Sequence, residues 1–233
     1  MAGVQNHLIE MLPRAARKAL LSICDPVDLI LSGRLGSTDV TTRYAYFPVD
    51  AIISLVTPLD GKPVLEVGMV GREGMVGAEL GLGVLNSPLH AVVQGPGKAW
   101  RVPSAAFRRE LARSAALRNC MNRYVYVLMA QLGMSAACLR FHLIGPRLAR
   151  WLLMTQDRAH ADEFYVTHEF LAYMLGVRRV GITAAAVLLQ RKGLIEYRRG
   201  ELIVLSRRGL EAAACACYAA DRRTYSRVMR LPS

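Results

Sequence analysis

The sequence is short of several things, and each shortage narrows what it can be. Only five of its 233 residues are cysteines, at positions 24, 120, 138, 215 and 217. An odd, scattered set is a poor disulfide framework and suits a reducing compartment. Cys215-Ala-Cys217 is half of a ligand pattern, but no second Cys or His pair stands at ligand spacing beside it. It reads as small buried thiols, and neither a metal nor a cofactor is expected. No run is long and apolar enough for a membrane anchor. The most apolar stretch, Tyr124 to Leu139, contains Gln131 and is too short to cross a bilayer comfortably. Arg14, Arg17 and Lys18 follow the first apolar residues instead of preceding a long apolar run, so no secretory leader is expected and the predicted location is the cytoplasm. The β-rich part holds no His-x-His or Glu-x-x-His pattern. A nucleophile elbow, a P-loop and a dinucleotide fingerprint are all missing. The expectation is therefore not an enzyme, with no catalytic residues.

Acidic residues are also scarce: 18 Asp+Glu stand against 30 Lys+Arg, a formal net charge of +12. Such an imbalance points to a polyanionic partner, nucleic acid first, with a merely basic surface as the alternative. Residues 141–233 carry a net +7 and the longer segment 1–140 only +5, so the C-terminal part is the more densely positive.

Hydrophobic residues make up 53% of the chain, enough to fill real cores. Residues 5–22 read as one short amphipathic helix, with Leu8, Ile9, Leu12, Ala16 and Leu20 at helical spacing. From about 25 to 102 short β-forming runs alternate with turn signals. The runs are 44–47, 52–56, 64–67, 91–94 and 99–102; the turns include 58–61 and 95–97. Short strands at this spacing predict an antiparallel sandwich or barrel. Helical sequence follows over 104–112 and 114–139. In the longer helix Leu117, Met121, Tyr124, Leu128, Leu132 and Ser135 form a stripe, which reads as a dimer seam; packing against the helix's own barrel is the alternative. Helix resumes at 143.

The segment from Thr167 to Ile195 carries the functional signal. Thr167 is a good N-cap, and Phe170, Leu171, Met174 and Leu175 make a short amphipathic helix that Gly176 ends. A second helix runs from about Arg178 to Lys192, with Ile182, Ala185, Ala186 and Leu189 facing inward. Ala172 is small where the helices must cross, and Val177 and Ile182 are apolar where they must share a core. Arg178, Arg179 and Thr183 then occupy the outward first turns of a recognition helix, where Arg suits guanine O6 and N7. Thr167 and His168, at the start of the first helix, are placed with them as DNA contacts. Two β runs around Arg199-Gly200 read as a wing, with Arg198 and Arg199 suited to phosphate. Residues 207–221 read as a last helix.

A β domain, a long helix and a winged helix-turn-helix, in that order, resemble the Crp/Fnr family of transcription regulators over nearly the whole chain. The most specific pieces are Thr167 to Arg179, the wing, Val70 to Leu82 and Tyr46-Phe-Pro48. The resemblance implies an α+β chain: a cyclic-nucleotide-binding-type antiparallel jelly roll over 1–112, a dimerisation helix over 113–140, and a winged helix-turn-helix over 141–233. It also implies a homodimer on double-stranded DNA with a pseudo-palindromic operator, and RNA polymerase as a further candidate partner. Cyclic-nucleotide-binding members hold the ribose with a Gly-Glu-Leu segment and the phosphate with a following Arg. Here Gly77, Glu79 and Leu80 match loosely, with one residue inserted, and His90 is the only nearby cation where the Arg belongs. A buried phosphate without a permanent counter-charge is costly, so cAMP binding in the manner of those receptors is not expected and the effector is unassigned. The rival function is a sensor that regulates a protein partner without touching DNA; the Arg178-Arg179 helix argues against it.

Overall fold

The computed structural model describes residues 6–38, 40–59 and 62–230. The chain begins with two helices, α1 (His7–Glu10) and α2 (Arg14–Leu21), where one was expected. Pro13 separates them: it lacks an N–H, and its ring disfavours helical geometry at the residue before it.

Seven strands follow: β1 (Asp25–Leu29), β2 (Arg34–Gly36), β3 (Tyr44–Pro48), β4 (Ile52–Leu59), β5 (Lys62–Val70), β6 (His90–Gly95) and β7 (Gly97–Pro103). All their pairings are antiparallel, in two sheets of order β1-β7-β3 and β2-β6-β4-β5. The two faces enclose Ile53, Val70, Val76, Val93 and Ala99, the alternating inward positions of a roll. The expected turn over 58–61 lies partly outside the described residues. β1 and β2 were not anticipated, because Asp25, Asp28 and Arg34 interrupt the apolar alternation that marks a strand.

The Gly71–Gly74 segment is a tight turn, with the Gly74 amide bonded to the Gly71 carbonyl at 3.0 Å. A Cβ on Gly74 would stand 2.3 Å from the Tyr124 hydroxyl. The glycine therefore lets the long helix press on the roll, and the turn is a packing device.

Helices α3 (Ser104–Arg113), α4 (Ala115–Phe141) and α5 (Ile144–Ala159) come next. Ser114 caps α4 by accepting from the Leu117 amide. Most of the stripe expected as a dimer seam packs within the chain, with Leu128 and Leu132 half-buried. Leu117, Met121, Tyr124 and Ser135 are buried within the chain, and the first three join Phe47, Phe107 and Leu80 in one core. A second stripe is left outside at spacings of three and four: Asn119, Asn122, Tyr126, Met129, Gly133, Ala136 and Arg140. A helix that is apolar on two faces offers two seams, and periodicity alone does not say which faces its own domain. At 27 residues α4 is also long and apolar enough to cross a membrane, longer than the stretch read from sequence; one of its faces is filled by the roll.

The C-terminal part comprises β8 (Glu163–Tyr165), α6 (His168–Leu175), α7 (Arg179–Arg191), β9 (Ile195–Arg198), β10 (Glu201–Val204), α8 (Arg207–Ala213) and α9 (Cys217–Met229). The single helix expected over 207–221 is thus two, broken at 214–216. α9 returns to lie along α4, so the last helix ties the C-terminal part to the long helix.

The roll and the C-terminal part share a core: Ile52 and Met69 pack with Trp151, Leu152 and Leu175. Glu66 of β5 sits in this junction. Its Oε1 accepts from the Trp151 indole at 2.8 Å, and Ser54 Oγ lies between its Oε2 and Gln94 Oε1. Burial pushes the Glu66 carboxyl up to about 7. The folded state therefore binds a proton that the unfolded chain releases near its ordinary carboxylate pKa. Between that value and about 7 the junction loses stability as pH rises, and above 7 the whole penalty is present. We expect the Tm to fall between pH 6 and pH 8, and Glu66→Gln to flatten that slope while raising the Tm at pH 8. An equal slope in the variant, measured by calorimetry, would assign the pH dependence to other groups.

Candidate nucleic-acid interface

Thr167 Oγ1 accepts from the Phe170 amide at 3.1 Å and starts α6. Gly176, at φ 61°, ends it. After the short break, α7 leaves at 110° to α6, within the range of a helix-turn-helix. The sharp turn holds because Leu171, Ala172 and Leu175 of α6 meet Ile182, Ala185 and Ala186 of α7 in the buried core. Each large apolar side chain buried there contributes about 1.5–3 kcal/mol. Arg147 of α5 donates to the Leu175 carbonyl, one of the free carbonyls at the end of α6.

The opposite side of α7 faces outward. Arg178, Arg179, Val180, Thr183, Ala184, Val187 and Leu188 are exposed, Val180 by 72%. Sequence reasoning named the polar members and missed the apolar ones. The signal was present: once 182, 185, 186 and 189 are assigned inward, helical periodicity leaves 180, 184 and 187 outside. Apolar groups on a recognition helix suit the thymine methyl as Arg suits guanine.

The wing is the three-stranded sheet β8-β10-β9. Arg198 pairs with Glu201, and Arg199 (φ 52°) and Gly200 (φ 93°) form the two-residue turn between them. Two positive φ angles are the mark of a type I′ hairpin. Gly200 is also held against the Tyr165 ring, where a Cβ would come within 2.5 Å.

Wing and helices close on one hollow, lined by Tyr165, Thr167, His168, Arg179, Tyr197 and Arg199 among others. Four of the residues chosen from sequence therefore meet there. The His168 ring stacks on Tyr197 with centroids 4.3 Å apart, and the Tyr197 hydroxyl donates to the Val166 carbonyl. Thr183 Oγ1 donates to the Arg179 carbonyl at 3.1 Å and lies 3.0 Å from His168 Nδ1. The network assigns the proton to Nδ1, which leaves Nε2 as an acceptor, buried and without a protein partner. Desolvation first, and then Arg179, hold the His168 pKa below its ordinary value. Arg178 is the N-cap residue of α7 and lines a different hollow, with Tyr173, Val180 and Leu65. Arg198 is exposed beside the wing turn.

In the roll, Gly77 (φ 90°) precedes a 3-10 turn over Ala78–Leu82. Leu80 is buried in the core beside α4, and Glu79 Oε1 accepts from the Thr42 hydroxyl at 2.6 Å. His90 starts β6, half-buried. Two other arginines of the roll have partners elsewhere. Arg101 pairs with Asp25 at 3.6 Å and lies over the Tyr44 ring; Arg72 Nη1 lies 3.0 Å from His160 Nε2.

A helix pair crossing at a sharp angle, an exposed basic first turn and an arginine-tipped wing define a winged helix-turn-helix DNA-binding protein. Residues 146–213 match the Crp-like helix-turn-helix domain. The whole fold is similar to FixK2 from Bradyrhizobium japonicum, at TM-score 0.71 and 13% identity over 83% of this chain and 98% of that one. It is also similar to the c-di-GMP-responsive global regulator CLP of Xanthomonas campestris, at TM-score 0.67 and 14% identity over 83% and 100%. A CRP-family transcriptional regulator from Thermus thermophilus gives TM-score 0.66 and 18% identity over 81% and 96%. No curated protein matches the sequence. Residues 146–213 thus form a Crp-like helix-turn-helix domain, and the whole chain has the fold of Crp/Fnr-type regulators.

Proposed function

We propose that the protein acts as a homodimer that places two copies of α7 in successive major grooves of a pseudo-palindromic operator. The observation that carries this reading is the convergence of Thr167, His168, Arg179 and Arg199 on one hollow beside the exposed first turns of α7. Arg179, with Arg178, Val180 and Thr183, reads base edges. Arg199 and Arg198 hold phosphate from the wing, Thr167 holds the backbone where α6 begins, and His168 positions Thr183 through its Nδ1–H while packing on Tyr197. The seam is the exposed stripe Tyr126, Met129, Gly133 and Ala136 of α4. Gly133 and Ala136 are small, and a Cβ on Gly133 would meet nothing within 4 Å in its own chain, so a second helix can come close. The dimer works in the cytoplasm, with RNA polymerase as its further partner and no catalytic activity of its own. Fluorescence anisotropy with genomic DNA fragments tests the reading. We expect specific binding whose log affinity falls linearly with log salt, as counterions leave the phosphates. No binding to any fragment at low salt would remove the regulator reading and leave the sensor that does not touch DNA.

The roll is not a cyclic-nucleotide receptor of the known design. A cyclic phosphate carries a full negative charge, and His90 stands in the sequence where the resembling receptors carry a guanidinium. Calorimetry at pH 7.5 is expected to show no binding of cAMP or cGMP tighter than about millimolar. Micromolar binding lost in Glu79→Ala would contradict this.

A further inference from the structure

Cys138 lies in the last turn of α4, and His142 is the C-cap residue whose amide bonds the Cys138 carbonyl. Cys215 lies in the link between α8 and α9, and Cys217 is the first residue of α9. The return of α9 along α4 brings the two pairs together. Cys138 Sγ and Cys215 Sγ are 3.5 Å apart, and Cys217 Sγ is 3.6 Å from His142 Nδ1. All four ligand atoms lie within 4.8 Å of one another. The thiols are free and buried, at 2%, 7% and 5% exposure, and His142 is half-buried.

These separations are the edges of a small tetrahedron. An ion with bonds of about 2.3 Å to sulfur and about 2.0–2.1 Å to nitrogen sets S···S edges of roughly 3.8 Å and S···N edges of roughly 3.6 Å. The Cys138–Cys215 and Cys217–His142 separations match within a few tenths of an ångström, and the rest lie within 4.8 Å, so closing on an ion takes a contraction of at most about 1 Å. A multi-iron cluster needs its ligands spread further apart. A Cys138–Cys215 disulfide would use two of the four groups and leave a thiol and an imidazole facing each other without a role.

The surroundings suit thiolates. The N-terminus of α9 lies at Cys217, with its free amides. Arg150 stands nearby from α5, held by Asp221 at 2.8 Å and by Ser135.

We propose that Cys138, His142, Cys215 and Cys217 bind one tetrahedral divalent ion of the zinc type. With four protein ligands and no open position, the site is structural. It joins the end of α4 to the α8–α9 corner and so spans the His142–Leu143 joint from which α5 and the DNA-reading helices depart. The ion fixes how the recognition helix is held relative to the dimer seam.

Titration of the reduced, chelator-treated full chain with Co2+ tests this directly and needs no variant. The expected result is one equivalent per chain, with the intense visible d–d bands of tetrahedral cobalt and thiolate charge transfer in the near ultraviolet. Zn2+ then displaces the cobalt with an affinity in the nanomolar range or tighter. Cys217→Ser is expected to abolish the tetrahedral spectrum, the milder His142→Ala to weaken zinc at least ~10-fold, and Cys24→Ser to change nothing. Far-UV circular dichroism confirms that each variant is folded. Cobalt spectra that are octahedral, or unchanged in folded Cys217→Ser, would overturn the assignment. So would a Cys138–Cys215 disulfide found by mass spectrometry in protein that does not take up zinc after reduction.

Discussion

Arg179→Ala is expected to lower operator affinity by roughly 1–3 kcal/mol, about 5- to 150-fold, and to relax base preference at one position of each half-site. The side chain is exposed on the first turn of α7 and lines the hollow that His168 and Arg199 share. A base contact and a phosphate contact leave different signatures, so Arg199→Ala is the control. Its loss should be similar on all sequences and should reduce the salt slope by about one. Neither change touches the buried core of the helix pair, so the Tm should stay within a degree or two. If Arg179→Ala and Arg178→Ala both left affinity and base preference unchanged, α7 would not be the reading helix. Val180→Ser offers a separate check, since loss of preference at a thymine would trace to the apolar contacts that sequence reasoning overlooked.

Met129→Arg is expected to turn the dimer into a monomer at micromolar concentration. Met129 is 66% exposed and Tyr126 55% exposed in the single chain, so the substitution should cost the fold little. Across a twofold seam the new guanidinium would face its own copy with no acid on the stripe to pair with it, and a buried unpaired charge is strongly unfavourable. Operator affinity should fall at least ~100-fold, because each half-site would then be held without the gain of a linked second site. Sedimentation reads the first effect and anisotropy the second. A Met129→Arg protein that remains dimeric would move the seam elsewhere. Met121 is no alternative target, since it is buried beside Leu117 and Tyr124 and its loss would act through folding.

What could be read from sequence follows from how local each feature is. The helix pair was legible within a residue or two, because an N-cap, a stop glycine and an inward apolar set all lie within one contiguous segment. The wing turn was legible for the same reason. β8 escaped, since Glu163-Phe-Tyr165 is too short for alternation to show and is recruited by pairing with β10. Which face of α4 its own roll covers was not legible, because the Leu117–Tyr124 stripe and the Tyr126–Ala136 stripe have the same period. The cysteine cluster was invisible for a topological reason. Cys138 and Cys215 stand 77 positions apart, and it is α9 doubling back along α4 that makes a second half-site for Cys215-Ala-Cys217. In the roll, the contact of the Gly71–Gly74 turn with Tyr124 was not legible, because the two lie some fifty positions apart in the chain.

The most direct measurement of the central claim is selection of bound genomic DNA by the full-length protein, followed by footprinting of the enriched fragments. The account predicts an inverted repeat whose half-sites are centred about one helical turn apart, roughly 34 Å, with protection on both halves by one dimer. Enrichment of fragments sharing no sequence, or protection of a single unrepeated site by a monomer, would contradict it.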